Sequence, residues 1–227
     1  MDKKIIVRYC IREGMGIFSM GVALFWSTGT FNWWQAWAAL AVMLVWIMAT
    51  AVVILRTNPT LLAERLGPRK GAKSWDTVIM STLGLLQLTR YILAGFDHRY
   101  GWSGSFPLSS QCIALILCAL GYALFVWATA SNQFFSQIVR IQNERGQTVA
   151  KNGPYHFVRH PGYLGAIVFE LMIWVLLGSW WASVPSGLGA ILLIVRTALE
   201  DRTLQAELDG YAEYTKQVHY RLLPGIW

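Results

Sequence analysis

The chain has 227 residues, of which 55% are hydrophobic and only 14% charged, a balance outside the range of soluble globular domains and fitting a bilayer. Its net charge of +7 does not indicate a nucleic-acid binder. Lys and Arg fall between apolar runs and build no basic face interleaved with aromatics, so topology and anionic headgroups account for them better.

Lys3, Lys4, Arg8 and Arg12 precede the first apolar run in the manner of a signal peptide. No small-residue cleavage site leads from that run into a soluble domain, so it is expected to be the first span. Apolar runs follow at 14–31, 33–55, 78–96, 109–131, 163–179 and 182–198, and a helix needs about 20 residues to cross the hydrocarbon. None shows the alternation of barrel strands, so the fold class is all-α, a polytopic membrane protein of about six transmembrane helices, with five as the alternative. Trp33, Trp34, Trp102, Trp180 and Trp181 stand at run ends, where amphipathic rings favour the interface. Gly29 to Trp34 and Gly178 to Trp181 are turn-sized, predicting helical hairpins for the first and last pairs. Asn58-Pro59 to Arg69 reads as a surface turn and helix.

With six spans the basic groups 3–12, 56–73, 140–159 and 202–221 share one side, and the other side carries essentially Arg99. Both termini and the longer loops are therefore expected to be cytoplasmic. The reading is one integral membrane domain over 1–227, with N-terminal helices over 1–131 and a catalytic half over 132–227. The three cysteines, Cys10, Cys112 and Cys118, show no metal-ligand spacing, so reduced thiols and no metal are expected.

The polar loop from Gln142 to Gly165 runs directly into a membrane helix. Gly153-Pro154 predicts a turn, and Pro161 suits the first turn of a helix, which puts Arg159 and His160 at its mouth. Free N–H groups there favour an anion, while His160, Tyr155 and Tyr163 offer hydrogen bonds and aromatic faces against which a sulfonium can rest. The same residues taken singly also read as interfacial anchors beside a turn. After the last run, Arg196 and Glu200 share a helical face, with Asp201 beside them. They read equally as a juxtamembrane ion pair or as an anion-receiving Arg oriented by Glu200. Leu204, Leu208 and Tyr211 recur at helical spacing, predicting a C-terminal amphipathic surface helix that ends near Val218 and caps the site. Glu170 lies about two turns into the fifth span, either a functional carboxylate or a hydrogen-bonded packing residue. His98 and His219 receive no assignment.

From about Leu115 to Trp227 the chain resembles the isoprenylcysteine carboxyl methyltransferase family and its relatives the phospholipid N-methyltransferases. The resemblance rests on Gly153-Pro154-Tyr155, Arg159-His160-Pro161-Gly162-Tyr163-Leu164-Gly165, the acidic pair after the last span, Gly210-Tyr211 with Tyr214, and Arg221-Leu222-Leu223-Pro224-Gly225-Ile226-Trp227, in that order. It implies a membrane-embedded, S-adenosylmethionine-dependent methyltransferase with a cytoplasmic cofactor pocket and a lipophilic or lipid-modified acceptor reaching it from the bilayer. It further implies that Gln142, Gln147, Thr148, Val149, Ala150, Tyr155, Arg159, His160, Pro161 and Gly162 contact the cofactor, with Tyr163 beside them, and that Arg196 and Glu200 serve the acceptor's reacting end. Asp201 stands where the family usually has a second Glu, and the 142–153 stretch is shorter than in eukaryotic members. O-methylation of a carboxylate is favoured over N- or S-methylation. Two rivals remain: membrane sterol reductases, which share a His-Pro-x-Tyr segment but bind NADPH, and a non-enzymatic transporter or assembly factor. The latter fits poorly, because the spans carry few ionisable residues beyond Arg90 and Glu170.

Overall fold

The computed structural model describes residues 3–66 and 71–227. Arg69 and Lys70, counted above among the basic loop residues, lie outside the described residues. The chain forms α1 (Lys3–Thr28), α2 (Trp34–Thr57), α3 (Thr60–Leu66), α4 (Ser74–Tyr100), α5 (Leu108–Ser131), α6 (Pro161–Leu177), α7 (Trp180–Glu207) and α8 (Tyr211–Gln217), and the described residues contain no strand. By length and composition α2, α4, α5 and α7 can cross a membrane, and α6 is a shorter apolar helix of 17 residues, at the low end of what spans. The all-α, multi-pass expectation holds.

The six long helices alternate in direction, so their ends sort into two sets. At one end Asp97 of α4 accepts hydrogen bonds from the Ser103 N–H (2.8 Å) and from the Ser103 and Ser179 hydroxyls. Thr28 at the end of α1 bonds His98 Nδ1 at 2.8 Å, and Trp33, just before α2, stacks on the same imidazole at 4.6 Å. His98 thus has partners that its sequence neighbours did not reveal. The opposite end gathers α3, α8, the 132–160 loop and the C-terminal tail.

Both expected hairpins form, at turns where Gly29 and Gly178 adopt φ of +70° and +69°. Ser179 caps α7 by accepting from the Ala182 N–H at 3.1 Å, satisfying one of its free donors. Yet α1 packs chiefly on α4, and Gly95 makes that approach possible: a Cβ there would fall 1.8 Å from Ser27 Oγ and 2.8 Å from the Leu24 carbonyl.

The closest helix pair is α5 with α6. A Cβ on Gly165 would lie 2.2 Å from the Gly121 carbonyl oxygen, and one on Gly121 2.6 Å from that of Gly165, the small-residue contact that membrane helices use. Because both obstacles are backbone, Gly165→Ala must separate the helices. Overpacking of this kind costs about 1–3 kcal/mol, so we expect a lowered thermal midpoint in detergent, whereas Gly187→Ala, with nothing within 4 Å, should leave it unchanged.

Two expectations are corrected. Over its described residues, 58–66, the Asn58–Arg69 segment is not a surface helix: Leu61, Leu62 and Arg65 of α3 are buried, because the helix is folded under α1 against Tyr9 and Ile54. The C-terminal amphipathic helix is not a separate element over Leu204–Val218. Helix α7 continues to Glu207, and Gly210 at φ +79° breaks the chain before α8. The apolar residues found by periodicity still meet, since Leu208, Tyr211, Tyr214 and Val218 form one cluster with Ile141 and Val149.

Candidate active site

The loop end of the bundle encloses a cavity of about 380 Å³, within the range of small-molecule sites. Its outer part is polar and is bounded by the 134–150 segment, the mouth of α6 and α8. Its inner part runs between the helices past Met80, Leu83, Tyr122, Ala166 and Phe169 to Glu170. From Tyr163 to Glu170 is two helical turns, about 10 Å of depth.

Gln142, Gln147, Thr148, Val149, Ala150, Tyr155, Arg159, His160, Gly162 and Tyr163 all border this cavity, as do Arg196 and Glu200. Pro161 does not. It is the first residue of α6, as its missing N–H predicts, and His160 precedes it as N-cap. Gly153-Pro154 makes the expected turn, with Gly153 at φ +60° and a space filled by Ser131 and Trp127. Gly162 admits Phe135, whose ring a Cβ would meet at 2.7 Å. The glutamines also brace the loop: the Gln142 N–H donates to Gln147 Oε1 at 2.7 Å and Gln142 Nε2 to the Phe134 carbonyl at 2.8 Å.

The acidic residues do not serve the arginines that their spacing indicates. Arg196 and Glu200 form no ion pair among the described residues. Arg196 Nε donates to Asp76 Oδ1 at 2.7 Å and Nη2 to the Gln137 carbonyl at 2.9 Å, while its guanidinium lies 5.2 Å from the centre of the Tyr163 ring. Asp76, fully buried at the start of α4, also accepts from the Val139 N–H at 2.8 Å. Nη1 of Arg196 keeps no hydrogen bond among the described residues. Glu200 instead accepts a hydrogen bond from the hydroxyl of Tyr163, the residue whose ring the Arg196 guanidinium faces.

Asp201 turns the other way and is fully buried. Arg159 reaches its two oxygens with Nε at 2.8 Å and Nη2 at 3.1 Å, Arg221 Nε binds at 2.8 Å, His160 Nε2 lies at 3.2 Å, and Tyr211 and Gln205 donate at 3.0 and 2.7 Å. Arg159 Nη1 spends its remaining donors on the Val218 and His219 carbonyls, at 2.9 and 2.7 Å. The backbone N–H groups of Arg159 and His160 bond the Tyr220 and Arg221 carbonyls, both at 2.9 Å. Tyr214 donates to the Tyr155 carbonyl at 2.6 Å. Asp201 is thus the hub that fastens the C-terminal tail and α8 beneath the mouth of α6. Burial of their phenols holds the Tyr155, Tyr211 and Tyr214 hydroxyls protonated well above the usual tyrosine range, so each stays a donor.

Inside the bundle, Glu170 forms a fully enclosed ion pair with Arg90, which also donates to Tyr91 Oη at 3.2 Å. Gly189 leaves the room for it, as a Cβ there would sit 2.8 Å from Glu170 Oε2. The intramembrane carboxylate is therefore a paired residue that also borders the cavity.

Apolar helices closing around a mixed polar and apolar cavity define an integral, multi-pass membrane protein with an internal cavity. The sequence from 113 to 206 matches the model of the isoprenylcysteine carboxyl methyltransferase family. Across those residues, fewer than half of the chain, it is similar to that family. It is 24% identical over 189 residues to a probable protein-S-isoprenylcysteine O-methyltransferase of Oryza sativa, covering 77% of this chain and 93% of the rice protein. It is 28% identical over 139 residues to a Delta(14)-sterol reductase of Mus musculus. That match covers 51% of this chain and only 31% of the reductase. A solved structure of the eukaryotic intramembrane Ras methyltransferase, isoprenylcysteine carboxyl methyltransferase, aligns over 100% of this chain and 88% of its own, at 15% identity and a TM-score of 0.46.

Proposed function

We propose that the chain transfers a methyl group from S-adenosylmethionine to the carboxylate of a lipophilic, membrane-resident acceptor of the isoprenylcysteine type. The observation that carries this reading is the position of Arg196, which borders the cavity and whose third guanidinium nitrogen lacks a partner among the described residues. A guanidinium held by two of its nitrogens presents the remaining one in a fixed direction, which suits a carboxylate.

The residues suit the cofactor. Tyr155, Tyr163 and Phe135 offer aromatic faces to a sulfonium and an adenine, and the loop amides around Gln142 to Ala150 offer polar partners. When bound, S-adenosylmethionine supplies an electrophilic methyl group, and the S–C bond breaks with its electron pair passing to sulfur. A carboxylate acceptor has no proton to lose, so Glu200, engaged by Tyr163, acts by positioning and not as a base. Alignment and water exclusion are then the protein's main tasks. The tyrosines of α8 and the 134–150 strap cover the outer part, and the helices enclose the inner part.

The half from 1 to 131 contributes the apolar wall together with Asp76, and the half from 132 to 227 contributes the cofactor loop and Arg196. Six crossings with both termini cytoplasmic fit the basic residues gathered at the cavity end.

The mouse sterol reductase match supports one alternative, an NADPH-dependent reduction at the same pocket. Calorimetry on the purified protein separates the two: S-adenosylhomocysteine should bind and NADPH should not. Incubation with methyl-labelled S-adenosylmethionine and a native lipid extract should then label a base-labile species, as a methyl ester requires. A base-stable label would move the reaction to nitrogen or sulfur, and NADPH binding alone would overturn the proposal.

A further inference from the structure

Among the described residues, four guanidinium groups border the cavity, and three are neutralised: Arg140 by Glu64 and Glu144, Arg159 by Asp201, and Arg196 by Asp76. Arg65, the last, pairs with no carboxylate among the described residues although only 7% of its surface is exposed. Its Nε and Nη2 both point at the Phe135 carbonyl at 3.3 Å, and the guanidinium lies 5.6 Å from the centre of the Phe135 ring. Nη1 has no hydrogen bond among the described residues. The nearby acids are committed elsewhere, Glu13 to Arg12 and Glu64 to Arg140 and Ser136. Arg12 adds a second positive charge, donating to the Arg65 carbonyl at 2.6 Å. Burial without a counter-charge pulls the Arg65 pKa down to about 10, with Tyr9, Glu13 and Tyr155 offsetting it and Arg12 adding to it. A buried cation without its anion is costly, and folds keep one where a ligand supplies the missing charge.

We propose that Arg65 is a second carboxylate subsite of this pocket, apart from the acceptor's at Arg196, completed by the carboxylate of the bound cofactor's amino-acid end. The inference rests on the reading of the cavity as a methyl-transfer site. It adds a residue from α3, far in sequence from the 142–163 loop. Phe135 connects Arg65 to the mouth of α6, because its carbonyl holds the guanidinium while its ring fills the space left by Gly162.

The test is calorimetry on the full chain in detergent, comparing wild type with Arg65→Gln and Arg65→Lys. The probes are S-adenosylhomocysteine, 5′-methylthioadenosine, which lacks the amino-acid carboxylate, and N-acetyl-S-farnesylcysteine. Loss of a charge-assisted hydrogen bond should weaken one carboxylate ligand about 10- to 100-fold. If the cofactor's carboxylate is the partner, Arg65→Gln weakens S-adenosylhomocysteine alone, leaves methylthioadenosine unchanged, and Arg65→Lys restores part of the loss. Weakening of the farnesylcysteine alone would place the acceptor's carboxylate at Arg65 and overturn the proposal. Equal loss of both nucleosides with a lowered melting temperature marks a structural role and overturns the proposal, as does the absence of any tenfold change in a carboxylate ligand. Failure of wild type to bind S-adenosylhomocysteine would refute the methyl-transfer reading itself.

Discussion

Replacing Asp201 with Ala should lower the thermal midpoint of the purified protein more than any other single side-chain deletion in the site, and should abolish S-adenosylhomocysteine binding. Asp201 is fully buried and meets Arg159, Arg221 and His160 together with two neutral donors. Its removal strands the Arg159 guanidinium, whose side chain is only 6% exposed. Breaking a buried pair by deleting one partner typically costs about 3–5 kcal/mol, because the remaining charge cannot regain its hydration. The loss extends to the proposed cofactor pocket, since the same carboxylate holds His160 and Arg159 at the mouth of α6 and ties them to the tail through Arg221. Arg221→Ala should cost less, as that side chain is 31% exposed and water can replace part of what it loses. Differential scanning fluorimetry and calorimetry in detergent read both effects. An Asp201→Ala protein with wild-type midpoint and affinity would show that the tail and α8 are held by their apolar contacts alone.

How much of this was legible beforehand follows from distance along the chain. The proposed cofactor loop lies within a continuous stretch of about twenty residues, so turn signals, the helix-starting proline and the order of motifs singled it out, and all of its predicted residues but Pro161 share one cavity. The first hairpin, the last hairpin and the single side bearing the basic groups were likewise written in local pattern. Pairings across the bundle were not. Arg196 and Asp76 are 120 positions apart and Arg90 and Glu170 are 80 apart; no periodicity links them. The spacing of Arg196 and Glu200 predicted a neighbouring pair, but a nearer solution existed in Tyr163 and Asp76. Glu200 and Asp201, adjacent in sequence, diverge by about 100° around a helix, which is why one meets Tyr163 and the other the tail. Arg65 went unnoticed because a seven-residue helix after Asn58-Pro59 reads as surface, and only tertiary packing buries it.

The chemical role of Arg196 yields the second large effect. Arg196→Ala should reduce kcat/KM for the acceptor by about 10²–10³-fold, the loss seen when one positioned donor for developing or bound negative charge is removed, while S-adenosylhomocysteine affinity stays within about twofold. The separation is expected because Arg196 sits on α7 with its contacts to α4 and Gln137, whereas the loop residues proposed to hold the cofactor are fastened through Asp201. Arg196→Lys should recover little. An ammonium can satisfy Asp76 or an acceptor carboxylate, but it lacks the rigid fork that bonds Asp76, the Gln137 carbonyl and a third group at fixed angles. Asp76→Asn tests the same geometry from the other side, since it removes the counter-charge while keeping a polar group of similar shape: a freed guanidinium should raise the acceptor KM through misorientation, with cofactor affinity again little changed. Label-transfer kinetics with an S-prenylated cysteine acid, run beside calorimetry, separate the two readouts. Full turnover in Arg196→Ala, or parallel loss of acceptor turnover and cofactor affinity, would remove Arg196 from the acceptor's reacting end and leave it as a clamp between α7, α4 and the 134–139 strap.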